Sequence, residues 1–138
     1  MKNAVKILAI VFFVTLTFEK AEASSLWGHP HSIVFKGESK NWFVEHKRFL
    51  IGTMVEYETS LTYKGTNQYI KKVRYLTYLI TDGASDLAGD FSLKCGSEYK
   101  TERIECGGCR YLDKQESLTF ILDEYGKFEE RIILKRER

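Results

Sequence analysis

Three cysteines carry the most distinctive chemistry in this chain: Cys95, Cys106 and Cys109, the last two within Cys106-Gly107-Gly108-Cys109. In an oxidising compartment such thiols form structural disulfides, and because three cannot all pair within one chain, one stays free or bonds to another molecule. A Cys106 to Cys109 bridge demands a tight turn, which the two glycines permit. A bridge from Cys95 to either partner requires adjacent strands that bring the sulfurs within reach. Thiol exchange is a second reading, but it needs a thiolate held at a helix N-terminus, and the residues that follow, Arg110-Tyr111-Leu112-Asp113-Lys114-Gln115, form a polar connection into another strand. A closed zinc site is a third: it needs four ligands, so Cys95, Cys106 and Cys109 would have to recruit His29, His31 or His46, all distant in sequence. A pair of free thiols is the remaining alternative. Nothing in the chain calls for a cofactor.

The other candidates have plainer explanations. His29-Pro30-His31 places two imidazoles at i and i+2, which suits a shared metal in extended chain and suits a solvated N-terminal arm better. His46 is expected as a half-exposed strand residue. Trp27, Trp42, Tyr75 and Tyr78 could form a row for stacking sugar rings, but aromatics are ordinary core residues of strands. Glu56 and Glu58 share a face at a spacing that every amphipathic strand produces. The sequence contains no serine, histidine and acid signature for hydrolysis and no glycine loop that would cradle phosphate. Gly37 and Gly89 border strands, where glycine usually marks a turn or a bulge.

The elements that must position these residues are extended. Val55, Tyr57, Thr59, Leu61 and Tyr63 alternate with Glu56, Glu58, Ser60 and Thr62, a period of two that sets one group against a core and the other in water. Ser32 to Lys36 and Trp42 to Phe49 are shorter runs of the same kind, broken by Gly37-Glu38-Ser39-Lys40-Asn41. Tyr69 to Ile80 carries apolar residues on both faces, which predicts a central strand. Leu87 to Lys94 and Tyr99 to Glu105 follow. Thr119 to Leu122 and Phe128 to Leu134 then form a hairpin around Asp123-Glu124-Tyr125-Gly126-Lys127. No helical period is sustained beyond the first two dozen residues, and the single proline, Pro30, precedes the first strand. The pattern predicts an all-β fold, an antiparallel β-sandwich of seven to eight strands with immunoglobulin-like character, its strand order left open.

The first two dozen residues have a separate meaning. Lys2 and Lys6 precede an apolar run from Ile7 to Phe18, and Ala21-Glu22-Ala23 is a small-x-small cleavage site, so residues 1–23 are expected to be a signal peptide and 24–138 a single domain. The run is 12 residues long, against roughly 20 for a bilayer-spanning helix. Cleavage would leave no stable membrane anchor and a secreted or extracellular protein, in or near the cell wall. The mature chain would carry 18 basic and 17 acidic side chains, a balance that gives no general attraction to nucleic acid.

Two segments together resemble a family of small exported proteins of Gram-positive bacteria whose role is undetermined. One is Phe35-Lys36-Gly37-Glu38-Ser39-Lys40-Asn41-Trp42, matching an aromatic-x-Gly-Glu-Ser-x-Asn-Trp motif. The other is Cys106-Gly107-Gly108-Cys109 followed by a final hairpin, with Cys95 extra to the pattern. The resemblance implies an export signal and a single immunoglobulin-like β-sandwich, and it transfers no catalytic residue. Read without the family, Gly37, Glu38, Ser39 and Asn41 suit a turn in which Ser39 and Asn41 bond backbone groups while Trp42 enters the core. The expectation is a non-enzymatic protein that binds a wall or surface component or serves structurally. A thiol- or metal-dependent activity centred on Cys106 and Cys109, with Cys95 as resolving thiol or third ligand, is the alternative.

Overall fold

The computed structural model describes residues 31–123 and 129–138. The expected signal peptide, His29, Trp27 and most of the final hairpin turn lie outside the described residues. Nine strands and one short helix follow in chain order: β1 (His31–Glu38), β2 (Trp42–Ile51), β3 (Met54–Tyr63), α1 (Gln68–Lys72), β4 (Leu76–Thr81), β5 (Asp86–Phe91), β6 (Glu98–Lys100), β7 (Ile104–Glu105), β8 (Ser117–Asp123) and β9 (Glu129–Arg136). The all-β, antiparallel expectation holds.

The strands form one hydrogen-bonded sheet in the order β5-β4-β8-β9-β1-β2-β3-β6, with β7 also on β3. β1 and β9 pair only at Phe35 with Arg136 and Lys36 with Lys135. The sheet bends at this short junction, so that β5-β4-β8-β9 faces β1-β2-β3-β6 in a nearly closed, sandwich-like barrel. Rings from the two halves meet inside, where Trp42 on β2 lies 5.9 Å from Phe91 on β5; within one half, Tyr78 on β4 stacks on Phe120 of β8 at 5.7 Å.

Period two governs burial. Along β3, Val55, Tyr57, Thr59, Leu61 and Tyr63 are buried while the residues between them are half-exposed. β2 does the same with Trp42, Val44, His46 and Arg48. Phe35, Val44, Leu61, Leu76, Ile80, Phe120, Leu122 and Leu134 are wholly enclosed, each contributing roughly 1.5–3 kcal/mol of burial. On the outer face Glu58 pairs with Lys100 at 3.0 Å and Glu56 with Arg103 at 3.7 Å, as a solvated face should.

Three expected strands are interrupted for local reasons. Tyr69 to Ile80 is not continuous, because the Asn67 side chain accepts from the Tyr69 amide at 2.9 Å and caps the helix α1, leaving β4 to begin at Leu76. Leu87 to Lys94 ends early at Phe91, since Lys94 and Cys95 take left-handed backbone (φ +49° and +69°) and the Gly96 amide turns back to the Leu93 carbonyl at 2.7 Å. Tyr99 to Glu105 splits into β6 and β7 around Thr101, whose hydroxyl turns inward to accept from the Thr59 amide at 2.9 Å.

Gly37 is set by close approach. A Cβ there would collide with the Ile133 carbonyl of β9 and lie 2.8 Å from the Leu134 side chain. Gly37→Ala is therefore expected to lower unfolding free energy by about 1–3 kcal/mol in urea titration. Gly107→Ala, where a Cβ meets open space, is expected to change it by no more than about 0.5 kcal/mol.

Candidate functional site

The interior face of β2 and β3 changes character along its length. At one end it is apolar, with Trp42, Val44 and Leu61; at the other, His46, Arg48 and Thr59 are buried beneath the loop that carries the cysteines. Antiparallel register places His46 opposite Thr59 and Arg48 opposite Tyr57. His46 is fully enclosed rather than half-exposed, because the inward curl of the sheet turns its whole β2 face into the core and hydrogen bonds satisfy both ring nitrogens. Arg48 Nε donates to His46 Nε2 at 3.1 Å. An acceptor at Nε2 leaves the proton of the neutral ring on Nδ1, which donates to Thr59 Oγ1 at 2.9 Å. Burial pushes His46 down to about 3, with the nearby Arg48 charge acting in the same direction, and pushes Tyr78 up to about 12.

Arg48 also reaches the cysteine loop, its Nη1 donating to the Arg110 carbonyl at 2.6 Å. Burial lowers the Arg48 pKa, the Asp82 charge opposes that shift and Arg110 adds to it; a guanidinium remains charged throughout. Arg110 Nη2 meets Asp82 Oδ2 at 3.1 Å, and the Asp82 side chain is only 1% exposed. Asp82 ties the β4–β5 turn by accepting from the Ala84 amide at 2.8 Å, the Ser85 amide at 2.6 Å and the Ser85 hydroxyl at 2.9 Å. Burial alone would raise the Asp82 pKa, yet those bonds and the Arg110 charge outweigh it and bring it to about 2.

Cys106 and Cys109 sit at disulfide distance, with Cα atoms 5.5 Å apart. The Cys106 amide donates to the Val55 carbonyl at 2.8 Å, which anchors the start of the loop on β3. Gly108 has φ +86°, a left-handed conformation that suits glycine. Cys95 is not brought to them: it is exposed and unbonded in the turn after β5, its amide donating to the Lys71 carbonyl of α1 at 2.9 Å. Among the described residues no three His, Cys, Asp or Glu side chains cluster as a metal site.

The Gly37 to Trp42 motif forms the β1–β2 turn. Ser39 Oγ accepts from the Asn41 and Trp42 amides at 3.2 and 3.1 Å and donates to Glu130 on β9. Glu38 pairs with Lys64 at 2.8 Å. It is the Asn41 carbonyl, not its side chain, that holds the neighbouring segment, accepting from the Lys64 amide at 2.7 Å. Trp42 is 1% exposed and packs on Tyr63 at 4.8 Å. The turn also forms one wall of a groove of ≈ 660 Å³, whose rim includes Lys40, Asn41, Thr66 and Asn67 and whose floor includes Trp42 and Tyr63. Of the aromatics considered for sugar stacking, Trp42 and Tyr78 are core residues and Tyr75 is exposed; Tyr75 borders a second groove, of ≈ 470 Å³, with Tyr99.

Sequence reasoning missed the Arg48, Thr59 and Asp82 connections. A signal existed in the alternation Trp42, Val44, His46, Arg48, which puts both basic side chains on the core face. Among the described residues no helix is long and apolar enough to cross a membrane. The chain matches no family model, no curated protein and no solved structure.

The neutral His46 makes stability pH-dependent. Its pKa is about 3 when folded against 6.5 for the ordinary group, so between those values the unfolded chain binds the extra proton and stability falls as pH falls. The loss approaches about 1.4 kcal/mol per pH unit. Asp82, whose pKa moves from 3.8 to about 2, acts only at lower pH. Urea titrations between about pH 5 and 6.5 should therefore show a slope in the native chain that His46→Gln removes.

Proposed function

We infer that this chain is an exported, non-enzymatic β-sandwich that binds a component of the cell wall or cell surface through the groove beside the β1–β2 turn. The observation that carries this reading is the fate of the perturbed titratable groups. Catalysis uses such groups where substrate can reach them, and here they are committed to the structure: His46 is 0% exposed with both ring nitrogens bonded, and the Asp82 carboxylate is sequestered under Arg110. Arg110, the cation next to Cys109 in sequence, is occupied with Asp82 rather than free to lower a thiol pKa.

The groove offers the opposite environment. Its rim is polar and open, its floor is the edge of the aromatic core, and the turn that walls it is held from beneath by Ser39 and Glu38. Among the described residues no hydrogen bond or ion pair takes up the Lys40 ammonium. The lining carries both signs, Lys40 and Lys64 with Glu129 and Glu130, and its ammonium and amide donors over aromatic edges suit a hydroxyl-rich polymer that presents anions to Lys40. The leader-like residues 1–23, the cysteine pair at disulfide distance and the resemblance of the Gly37 to Trp42 and Cys106 to Cys109 motifs to small exported proteins support delivery outside the cytoplasm.

Co-sedimentation of the purified protein with isolated cell walls, and with walls stripped of their anionic polymers, tests the reading. Binding to intact walls should weaken by about tenfold or more in Lys40→Glu combined with Asn41→Ala, equivalent to about 1.4 kcal/mol, with the melting temperature unchanged. Equal retention of the native and substituted proteins would remove the groove from the account. Intact-mass measurement of the secreted protein, with and without reductant, should locate its start at Ser24 and show one bridge and one free thiol.

A further inference from the structure

Among the described residues the sheet does not close through its backbone: β5 and β6 are its two terminal strands. Side chains bridge the seam between them at both ends. At one end the Phe91 ring lies 5.2 Å from Tyr99. At the other, Arg110 supplies two links at once, its guanidinium to Asp82 ahead of β5 and its carbonyl to Arg48 on β2. Arg110 immediately follows Cys109. The bond from Cys109 to Cys106 thus joins Arg110 to Cys106, which is itself pinned to Val55 of β3.

We propose that the Cys106–Cys109 disulfide is a redox-operated latch on this end of the seam. While the bond is intact it ties Arg110 to the β3 anchor and holds both links closed. A dithiol reductant opens it: one thiolate of the reductant attacks a cysteine sulfur, its second thiol resolves the mixed disulfide, and two electrons and two protons leave Cys106 and Cys109 as free thiols while the reductant becomes a cyclic disulfide. The loop from Cys106 to Arg110 then gains backbone freedom, the Arg110 links to Asp82 and Arg48 are lost together, and the β4–β5 turn separates from the cysteine loop. The inference stands apart from the polymer-binding reading, since it concerns neither the groove nor its rim.

Amide hydrogen exchange of the purified protein, with dithiothreitol as the dithiol, tests it. Reporter amides are Ala84 and Ser85, which bond to the Asp82 carboxylate, and Cys106, which bonds to Val55. Reduction should speed exchange at all three by about tenfold or more while β2 and β8 stay protected, and reoxidation should reverse it. Oxidised Arg110→Ala should speed Ala84 and Ser85 but leave Cys106 slow, and reduction of that variant should add nothing further at Ala84 and Ser85. A Cys106→Ser, Cys109→Ser double variant should match the reduced chain. The latch is overturned if Ala84 and Ser85 stay protected on reduction, if they respond equally in Arg110→Ala, or if every strand loses protection together.

Discussion

A guanidinium taken out of water must find acceptors, and much of one end of this molecule is arranged around supplying them to Arg48. Removing such a charge from solvent costs several kcal/mol, recovered only where its donors are met with good geometry. Arg48 is 3% exposed, and its partners come from near and far in the chain: His46 two residues back, the Arg110 carbonyl beyond β7, and the field of Asp82 from the β4–β5 turn. The demand propagates. Because Arg48 donates to His46, the imidazole must be neutral and must carry its proton on the far nitrogen, which selects Thr59 as its partner. Among the described residues no buried side-chain nitrogen or oxygen lacks a partner, so the network is complete as it stands, and completeness is what makes a polar interior tolerable.

That network also enforces register. A one-residue slip between β2 and β3 would turn every side chain to the other face, placing Glu45 and Lys47 in the core and His46 and Arg48 in water. Apolar strands can resist such a slip only through lost burial. Here the penalty is larger, since a slip would strand the Glu45 carboxylate and the Lys47 ammonium inside. The far end of the same strands is held by different means. Ser39 closes the β1–β2 turn, Glu38 and the Asn41 carbonyl grip Lys64, and Gly37 lets β9 approach β1 where the two halves of the sandwich meet. Each residue of the motif except Lys40 thus has a task in the fold through its side chain or its backbone, which explains why so short a stretch is so distinctive in composition.

The alternation of Val55 to Tyr63 and of Trp42 to Arg48 made the strands and their buried faces readable from sequence, because period two is imposed by the backbone itself. The exceptions share a cause. The helix at Gln68–Lys72 and the break at Thr101 depend on single side-chain bonds, Asn67 to the Tyr69 amide and Thr101 to the Thr59 amide, and such bonds leave no periodic trace. Strand order was not readable either, since antiparallel strands of similar composition can neighbour one another in many ways. Of the candidate site, the cysteine pair and the turn motif were visible as residue types at close spacing. The link between Arg48 and Arg110 joins residues 62 apart in sequence, and nothing local to either announces it.

Phe91 connects the two ends of the molecule. Its ring packs on Trp42 at 5.9 Å, beneath the turn motif, and on Tyr99 at 5.2 Å, across the seam that Arg110 closes further along. β5 runs without interruption from the turn held by Asp82 to Phe91, so a displacement of that turn away from the cysteine loop must either bend β5 or pull Phe91 from its ring contacts. At Gly89 bending is opposed by Tyr78, whose ring fills the space where a Cβ would stand and also contacts Phe91 at 6.1 Å. The Phe91 contacts thus oppose displacement of that turn, and the aromatic cluster and the Arg110 links hold the seam from its two ends.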